Sequence, residues 1–140
     1  MNATSRSDYR YFHTIQARWM DNDVYGHLNN AVYYSLFDTA IAMLLSECGA
    51  ELFGAGGLNR LVVKSGCEYL SSLCFPGAIT IGVKIAALGN SSIRYAVAAF
   101  GEGLDAAAAQ GEFIHVCVGA DDHRPTRIPD SLRKALSRYA

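Results

Sequence analysis

The chain has 140 residues, 51% of them hydrophobic and 18% charged, and carries a net charge of −1 at pH 7. That length suits one domain, and a chain of this size buries about 70% of its unfolded surface, enough for a core without disulfides or metal. The composition excludes a disordered chain, and the near-neutral balance gives no bulk electrostatic reason to bind nucleic acid or an anionic membrane. Charge falls below the typical share of about 25%, which points to apolar surface covered by a partner subunit.

Tyr9 to Met20 alternates as a strand, with His13, Ile15, Ala17 and Trp19 on one face. Asp21 to Asn30 is dense in Asp, Asn and Gly and reads as a turn. From Ala31 to Cys48 the period becomes helical, with Tyr33, Leu36, Phe37, Ala40, Leu44 and Cys48 on one stripe. Asn29 or Asn30 can cap its start, and Gly49 stands where a left-handed terminating residue belongs. Asp38 and Glu47 are its only charges, so the helix is expected to be enclosed by the rest of the domain. Gly54 to Gly57 reads as a loop.

Four strands are expected next: Leu61 to Phe75, Ala78 to Leu88, Ser91 to Phe100 and Ala109 to Gly119. Ile79, Ile81, Val83, Ile85 and Ala87 share one face of the second of these. Ile93, Tyr95, Val97 and Ala99 share a face of the third, and Ile114, Val116 and Val118 one side of the fourth. Asp121 to Asp130 reads as a loop, and Ser131 to Tyr139 as a short helix capped by Asp130 with Leu132 and Leu136 inward. One helix packed on a sheet of hairpin-linked strands is an α+β arrangement.

The four cysteines, Cys48, Cys67, Cys74 and Cys117, form no C-x-x-C pair and read as reduced core or near-core thiols. Met1 to Arg10 is polar and lacks the apolar stretch of a signal peptide. No apolar run reaches the roughly 20 residues of a membrane span. The expectation is a cytoplasmic protein with no membrane association. The four histidines, at 13, 27, 115 and 123, have no metal-ligand spacing, and the nucleophile-elbow, phosphate-loop, zinc-protease and dinucleotide motifs are absent.

One polar cluster remains, Asp21 to Asn30, at the start of the apolar helix. The first turn of a helix presents unpaired N–H groups at the positive end of its dipole, which suits an oxyanion. A carboxylate just upstream can attack a carbonyl or deprotonate a water that does. The same residues also make ordinary Asx-turns and caps.

The run Arg18-Trp19-Met20-Asp21-Asn22-Asp23-Val24-Tyr25-Gly26-His27-Leu28-Asn29-Asn30-Ala31-Val32-Tyr33 closely resembles the D-x-D-x-x-G-H-[VL]-N-N-x-x-Y signature of hotdog-fold acyl-CoA thioesterases, in the 4-hydroxybenzoyl-CoA thioesterase-like group. Phe75-Pro76-Gly77, Leu88 to Ser92, His115 to Val118, Arg124-Pro125 and Ile128-Pro129 echo the family in order, so the resemblance spans most of the chain. It implies a long central helix wrapped by a five-stranded antiparallel sheet, assembled as a homodimer or homotetramer with the active site at the subunit interface. It implies hydrolysis of an acyl-CoA without metal or other cofactor. Asp23 matches the catalytic carboxylate, as general base or nucleophile, and Asn30 the backbone N–H that polarises the thioester carbonyl.

Other residues carry two readings each. Asp21 is a turn former or a second acid. His27 contacts the carboxylate or substrate, or orients the turn. Asn29 contacts the substrate, or caps the helix or stabilises the turn, and Tyr33 lines the acyl pocket or packs in the core. Ser91 and Ser92 resemble a stretch that approaches coenzyme A in some relatives, or are plain turn residues. Arg60, Lys64, Arg94, Arg124 and Arg127 are the basic candidates for coenzyme A phosphates. Many relatives carry a Glu and then an Ala-Arg pair on the helix where this chain has Asp38-Thr39-Ala40-Ile41, which puts a borrowed substrate in doubt. Two alternatives stand beside hydrolysis. One is a non-catalytic acyl-CoA-binding module. The other is an enoyl or hydroxyacyl thioester dehydratase-hydratase, although such enzymes place His five residues after Asp and here the separation is four.

Overall fold

A computed structural model describes residues 2–53 and 57–140. The elements run β1 (Tyr11–Gln16), α1 (Asn30–Glu47), β2 (Leu58–Tyr69), β3 (Ala78–Leu88), β4 (Ser92–Gly101), β5 (Ala109–Gly119) and α2 (Asp130–Ser137), with short 3-10 turns at Arg6–Asp8 and Trp19–Asp21. The five strands form one sheet in the order β1-β3-β4-β5-β2, and every pairing is antiparallel. The sheet wraps α1 on its inner face, the hotdog arrangement the resemblance implies. Residues 54–56 of the loop expected over Gly54–Gly57 lie outside the described residues. Among the described residues no helix is long and apolar enough to cross a membrane.

The core follows the helical stripe read from the sequence. Tyr33, Leu36, Phe37, Ala40, Ile41, Leu44 and Leu45 of α1 are buried against Ile79, Ile81, Val83, Ile93, Tyr95 and Val97 of the sheet. Asn29 caps α1, its side chain accepting from the Ala31 N–H at 3.0 Å, and Gly49 ends it with φ +82°. The helix is enclosed on one side only: Asp38, Thr39 and Met43 face outward. A second, small cluster of Tyr9, Ala98, Phe100 and Ala107 covers the outer face of the sheet.

Several boundaries and faces differ from the sequence reading. The first strand stops at Gln16 because Ala17 turns to donate to the Gly77 carbonyl (2.9 Å) and the chain enters a 3-10 turn. Trp19 is therefore 77% exposed instead of inward, resting edge-on against Phe75. β2 ends at Tyr69, not Phe75, because Leu70 and Ser71 both donate to the Ala108 carbonyl and leave the ladder. A bulge between Ile85 and Ala87 reverses the alternation, so Ala87 points outward and Leu88 packs on the core. On β5 the core face is Phe113, His115 and Cys117, while Ile114 and Val116 lie on the outer side. Asp130 opens α2 as its first residue and pairs with Arg127 at 3.2 Å; it does not cap it. Cys117 is buried, Cys48 and Cys67 are half-buried, and Cys74 is exposed, contrary to a near-core reading.

Candidate active site

The turn between β1 and α1 is held in place by backbone and short side chains. Asn22 docks it onto the segment after β2, its Oδ1 accepting from Phe75 N–H at 2.9 Å. Leu28 N–H donates to the Leu73 carbonyl at 2.7 Å and Asn29 N–H to the Asp21 carbonyl at 2.8 Å. Asp23 and His27 close the tip, Asp23 N–H donating to the His27 carbonyl at 2.8 Å, with Gly26 at φ +79°. The loop is an anchored platform at the N-terminus of α1.

Asp21 is 3% exposed and accepts from Arg18 through the backbone N–H (2.7 Å) and the guanidinium (3.0 Å). Burial pushes its carboxyl up, but those hydrogen bonds and the arginine charge outweigh it and hold the carboxyl below its usual range. Both its oxygens are committed, so Asp21 builds the turn. Asp23 is different. Its Oδ1 accepts from Tyr25 N–H at 2.8 Å, with a longer 3.4 Å contact to His27 N–H, and Oδ2 has no partner among the described residues. At the head of α1, Asn29 satisfies the Ala31 N–H with its side chain and the Val32 N–H with its carbonyl. The N–H of Asn30, the first helical residue, has no acceptor among the described residues, as helix geometry dictates.

Asp23, His27, Asn29, Asn30 and Tyr33 line one cavity of about 330 Å³. Five of the seven residues expected at the site are thus brought together. Tyr33 is both wall and core: it is 2% exposed, and burial raises its phenol above the usual range, which makes it a poor proton donor. Ser91 and Ser92 stand apart in the β3–β4 hairpin, where their carbonyls accept from Cys117 and Gly89. Besides Leu28, the cavity is lined by Tyr69, Ser71 and Ser72, and Tyr69 donates its hydroxyl to the Asn30 carbonyl at 2.8 Å. These three were not singled out in the sequence, because reading one strand through to Phe75 hid the break after Tyr69. Among the basic candidates, Lys64 and Arg94 pair with Glu112 at 3.0 and 3.9 Å. Arg127 pairs with Asp130, Arg124 is exposed, and Arg60 belongs to another cavity.

A carboxylate with a free oxygen, on a residue that lines the same cavity as a helix N-terminal residue whose N–H has no acceptor among the described residues, is equipped to activate a nucleophile and to stabilise an oxyanion. The comparisons with known proteins bear on the family and the fold. No curated protein matches the chain. The crystal structure of the PA5185 protein from Pseudomonas aeruginosa strain PAO1 is similar at 44% identity, covering 97% of this chain and 95% of that one, with a TM-score of 0.93. The DHNA-CoA thioesterase from Staphylococcus aureus shares the fold at 20% identity (91% and 89% covered, TM-score 0.83). So does a thioesterase complexed with coenzyme A and zinc from Thermus thermophilus, at 24% identity (91% and 98% covered, TM-score 0.78). A family model for the thioesterase-like superfamily matches residues 17–136. The chain belongs to the thioesterase-like superfamily, in its hotdog-fold branch.

Proposed function

We propose that the protein hydrolyses an acyl-CoA thioester to the free acid and coenzyme A. The observation that carries this reading is that Asp23 and Asn30 line one cavity, where the Asn30 N–H has no acceptor among the described residues. The thioester carbonyl oxygen accepts from Asn30 N–H, at the positive end of the α1 dipole. In the general-base route Asp23 takes a proton from water as the water oxygen bonds to the carbonyl carbon. The tetrahedral oxyanion then collapses, the C–S bond breaks, and the proton passes to the departing thiolate. In the nucleophilic route Asp23 itself bonds to the carbonyl carbon, the thiolate leaves, and water cleaves the mixed anhydride. His27 and Asn29 position the turn beside the substrate and Tyr33 walls the acyl group. Ser91 and Ser92 stay in the proposal as hairpin contacts for the long arm of the coenzyme, outside the reacting cavity. The S. aureus and T. thermophilus relatives, a thioesterase for a CoA ester and one bound to coenzyme A, support this substrate class.

We further propose that the working unit is a homodimer joined through β2, able to pair again into a tetramer. Among the described residues β2 is a sheet edge of 12 residues bonded only to β5, and it exposes Leu61, Val62 and Val63 by 44, 46 and 60%. A long apolar edge of this kind is a template for a second strand. We propose the cytoplasm as the site of the reaction, which the four free thiols support.

The test is thiol release from short, medium, long and aromatic acyl-CoAs. Release from at least one class is expected. Tight acyl-CoA binding with no release would replace hydrolysis by the binding-module reading, and a 3-hydroxyacyl product without thiol would replace it by hydration.

A further inference from the structure

The N–H that the proposed hydrolysis uses belongs to Asn30, the first residue of α1. A helix end is its least constrained part, because the first turn lacks the inward bonds of the interior and frays. An oxyanion donor has to be held still, since a displacement of about 1 Å costs on the order of 10² in rate. Asn29 steadies the neighbouring amides, taking the Ala31 N–H on its side chain and the Val32 N–H on its carbonyl. Neither bond is made to Asn30 itself.

Asn30 is held from outside the helix. Tyr69 donates its hydroxyl to the Asn30 carbonyl at 2.8 Å, and a carbonyl has two lone pairs, so it can take a phenol besides its helical partner. The phenol is itself fixed. Its ring stands edge-on to Tyr33, with centroids 5.2 Å apart and planes at 81°, and Tyr33 is buried. Its backbone is the last rung of β2, paired with Ala109 of β5. Leu70 and Ser71 then both donate to the Ala108 carbonyl, so the chain leaves the ladder at once. Tyr69 is braced by the sheet on one side and by Tyr33 of α1 on the other.

Two further bonds join the chain after β2 to the turn that bears Asp23. Leu28 N–H donates to the Leu73 carbonyl at 2.7 Å, and Phe75 N–H to Asn22 Oδ1 at 2.9 Å. Of these three bonds only that of Tyr69 reaches Asn30. Pinning the Asn30 carbonyl restricts rotation about the backbone torsions of that residue. The direction of its N–H is then fixed relative to the sheet as well as to the helix.

We propose that Tyr69 is a positioning residue for the hydrolysis: its hydroxyl, acting through the Asn30 carbonyl, fixes the Asn30 N–H where the thioester oxygen is polarised. This inference rests on the hydrolysis proposed above. The aim of the oxyanion donor is set by the end of β2 and not by α1 alone. Tyr69 transfers no proton, because its hydroxyl hydrogen is committed to the Asn30 carbonyl.

The test compares two variants on one acyl-CoA that the wild type cleaves. Tyr69→Phe removes the hydroxyl and keeps the ring against Tyr33, whereas Tyr69→Leu removes both. Removing an oxyanion donor outright costs about 10² to 10³ in kcat, and here the donor is only loosened, so Tyr69→Phe is expected to lower kcat about 10-fold with KM unchanged. Tyr69→Leu is expected to lose at least as much and to raise KM, because the ring lines the cavity. Wild-type kcat in Tyr69→Phe beside a loss in Tyr69→Leu would leave the ring a packing role and overturn the inference. So would a raised KM at unchanged kcat, which reports uniform binding. A second readout needs no turnover: the infrared carbonyl stretch of an acyl-CoA, isotopically labelled at its carbonyl carbon and bound to Asp23→Asn. The stretch is expected below its free value there, and closer to that value in Asp23→Asn/Tyr69→Phe. An identical bound stretch in the two overturns the inference, even where kcat fell through lost stability. If no acyl-CoA releases thiol, the hydrolysis reading fails, and exchange of the Asn30 amide hydrogen in the free protein decides whether Tyr69 holds that residue. Faster exchange in Tyr69→Phe supports the tether, and equal exchange overturns it.

Discussion

Asp21 and Asp23 stand two positions apart in one turn and do opposite things. Asp21 has both oxygens engaged by Arg18, whereas Asp23 keeps Oδ2 free among the described residues. Replacing Asp21 by Asn is expected to cost about 1–3 kcal/mol, as for a buried charged hydrogen-bond partner, measured by denaturant unfolding. The pH dependence has a definite sign. The carboxyl is held below its usual value of 3.8 in the folded chain, so its contribution is complete above that value and is lost as pH falls through the lower folded one. The stability gap between wild type and Asp21→Asn should therefore narrow in acid below that point and stay constant from pH 5 to 7. A gap unchanged through the acid range would mean that folding does not lower the Asp21 pKa. Asn29→Ala removes the cap of α1 and is expected to cost about 1 kcal/mol in the same experiment.

Among the elements, the β2–β5 pairing is the tightest constraint. Gly111 faces β2 so closely that an added Cβ would collide with the Gly66 carbonyl, and backbone cannot yield as a flexible side chain can. Gly111→Ala is expected to destabilise the protein by about 1–3 kcal/mol by overpacking, seen as a lower denaturant midpoint; a neutral result would mean that β2 is not seated as described. The sequence was clearest where alternation met an unambiguous turn. β3 and β5 begin and end where the pattern says, between Pro-Gly, Gly-Asn and Gly-Glu-Gly turns. It was opaque where a single residue changes the phase. The bulge before Ala87 carries no composition mark, and on β5 the outer residues Ile114 and Val116 are as apolar as the inner ones, so the core face could not be told from hydropathy. Asp23 and Asn30 were legible because their motif is local and compact. Tyr69 and Ser71 were not, because only the tertiary fold carries the end of β2 to the head of α1.

At the scale of the whole molecule, the low charge fraction and the exposed apolar β2 edge are one observation seen twice. α1 is also uncovered on the side away from the sheet, with Met43 at 41% exposure. A protomer of 15.1 kDa that closes these surfaces against a copy should sediment as a dimer or larger assembly. Leu61→Lys/Val63→Lys, which charges the exposed edge without touching the core, is expected to shift it to the protomer and to lower thiol release with it. A wild type that sediments as a protomer at working concentration would contradict the β2 assembly.

The central claim is that the carboxylate of Asp23, beside the Asn30 N–H, turns over a thioester. The most direct measurement is thiol release by wild type and Asp23→Asn on the best acyl-CoA, with unfolding and sedimentation matched between them. A fall of at least about 10²-fold in kcat/KM is expected for Asp23→Asn, with fold and assembly unchanged. Asp23→Asn turning over at the wild-type rate would contradict it.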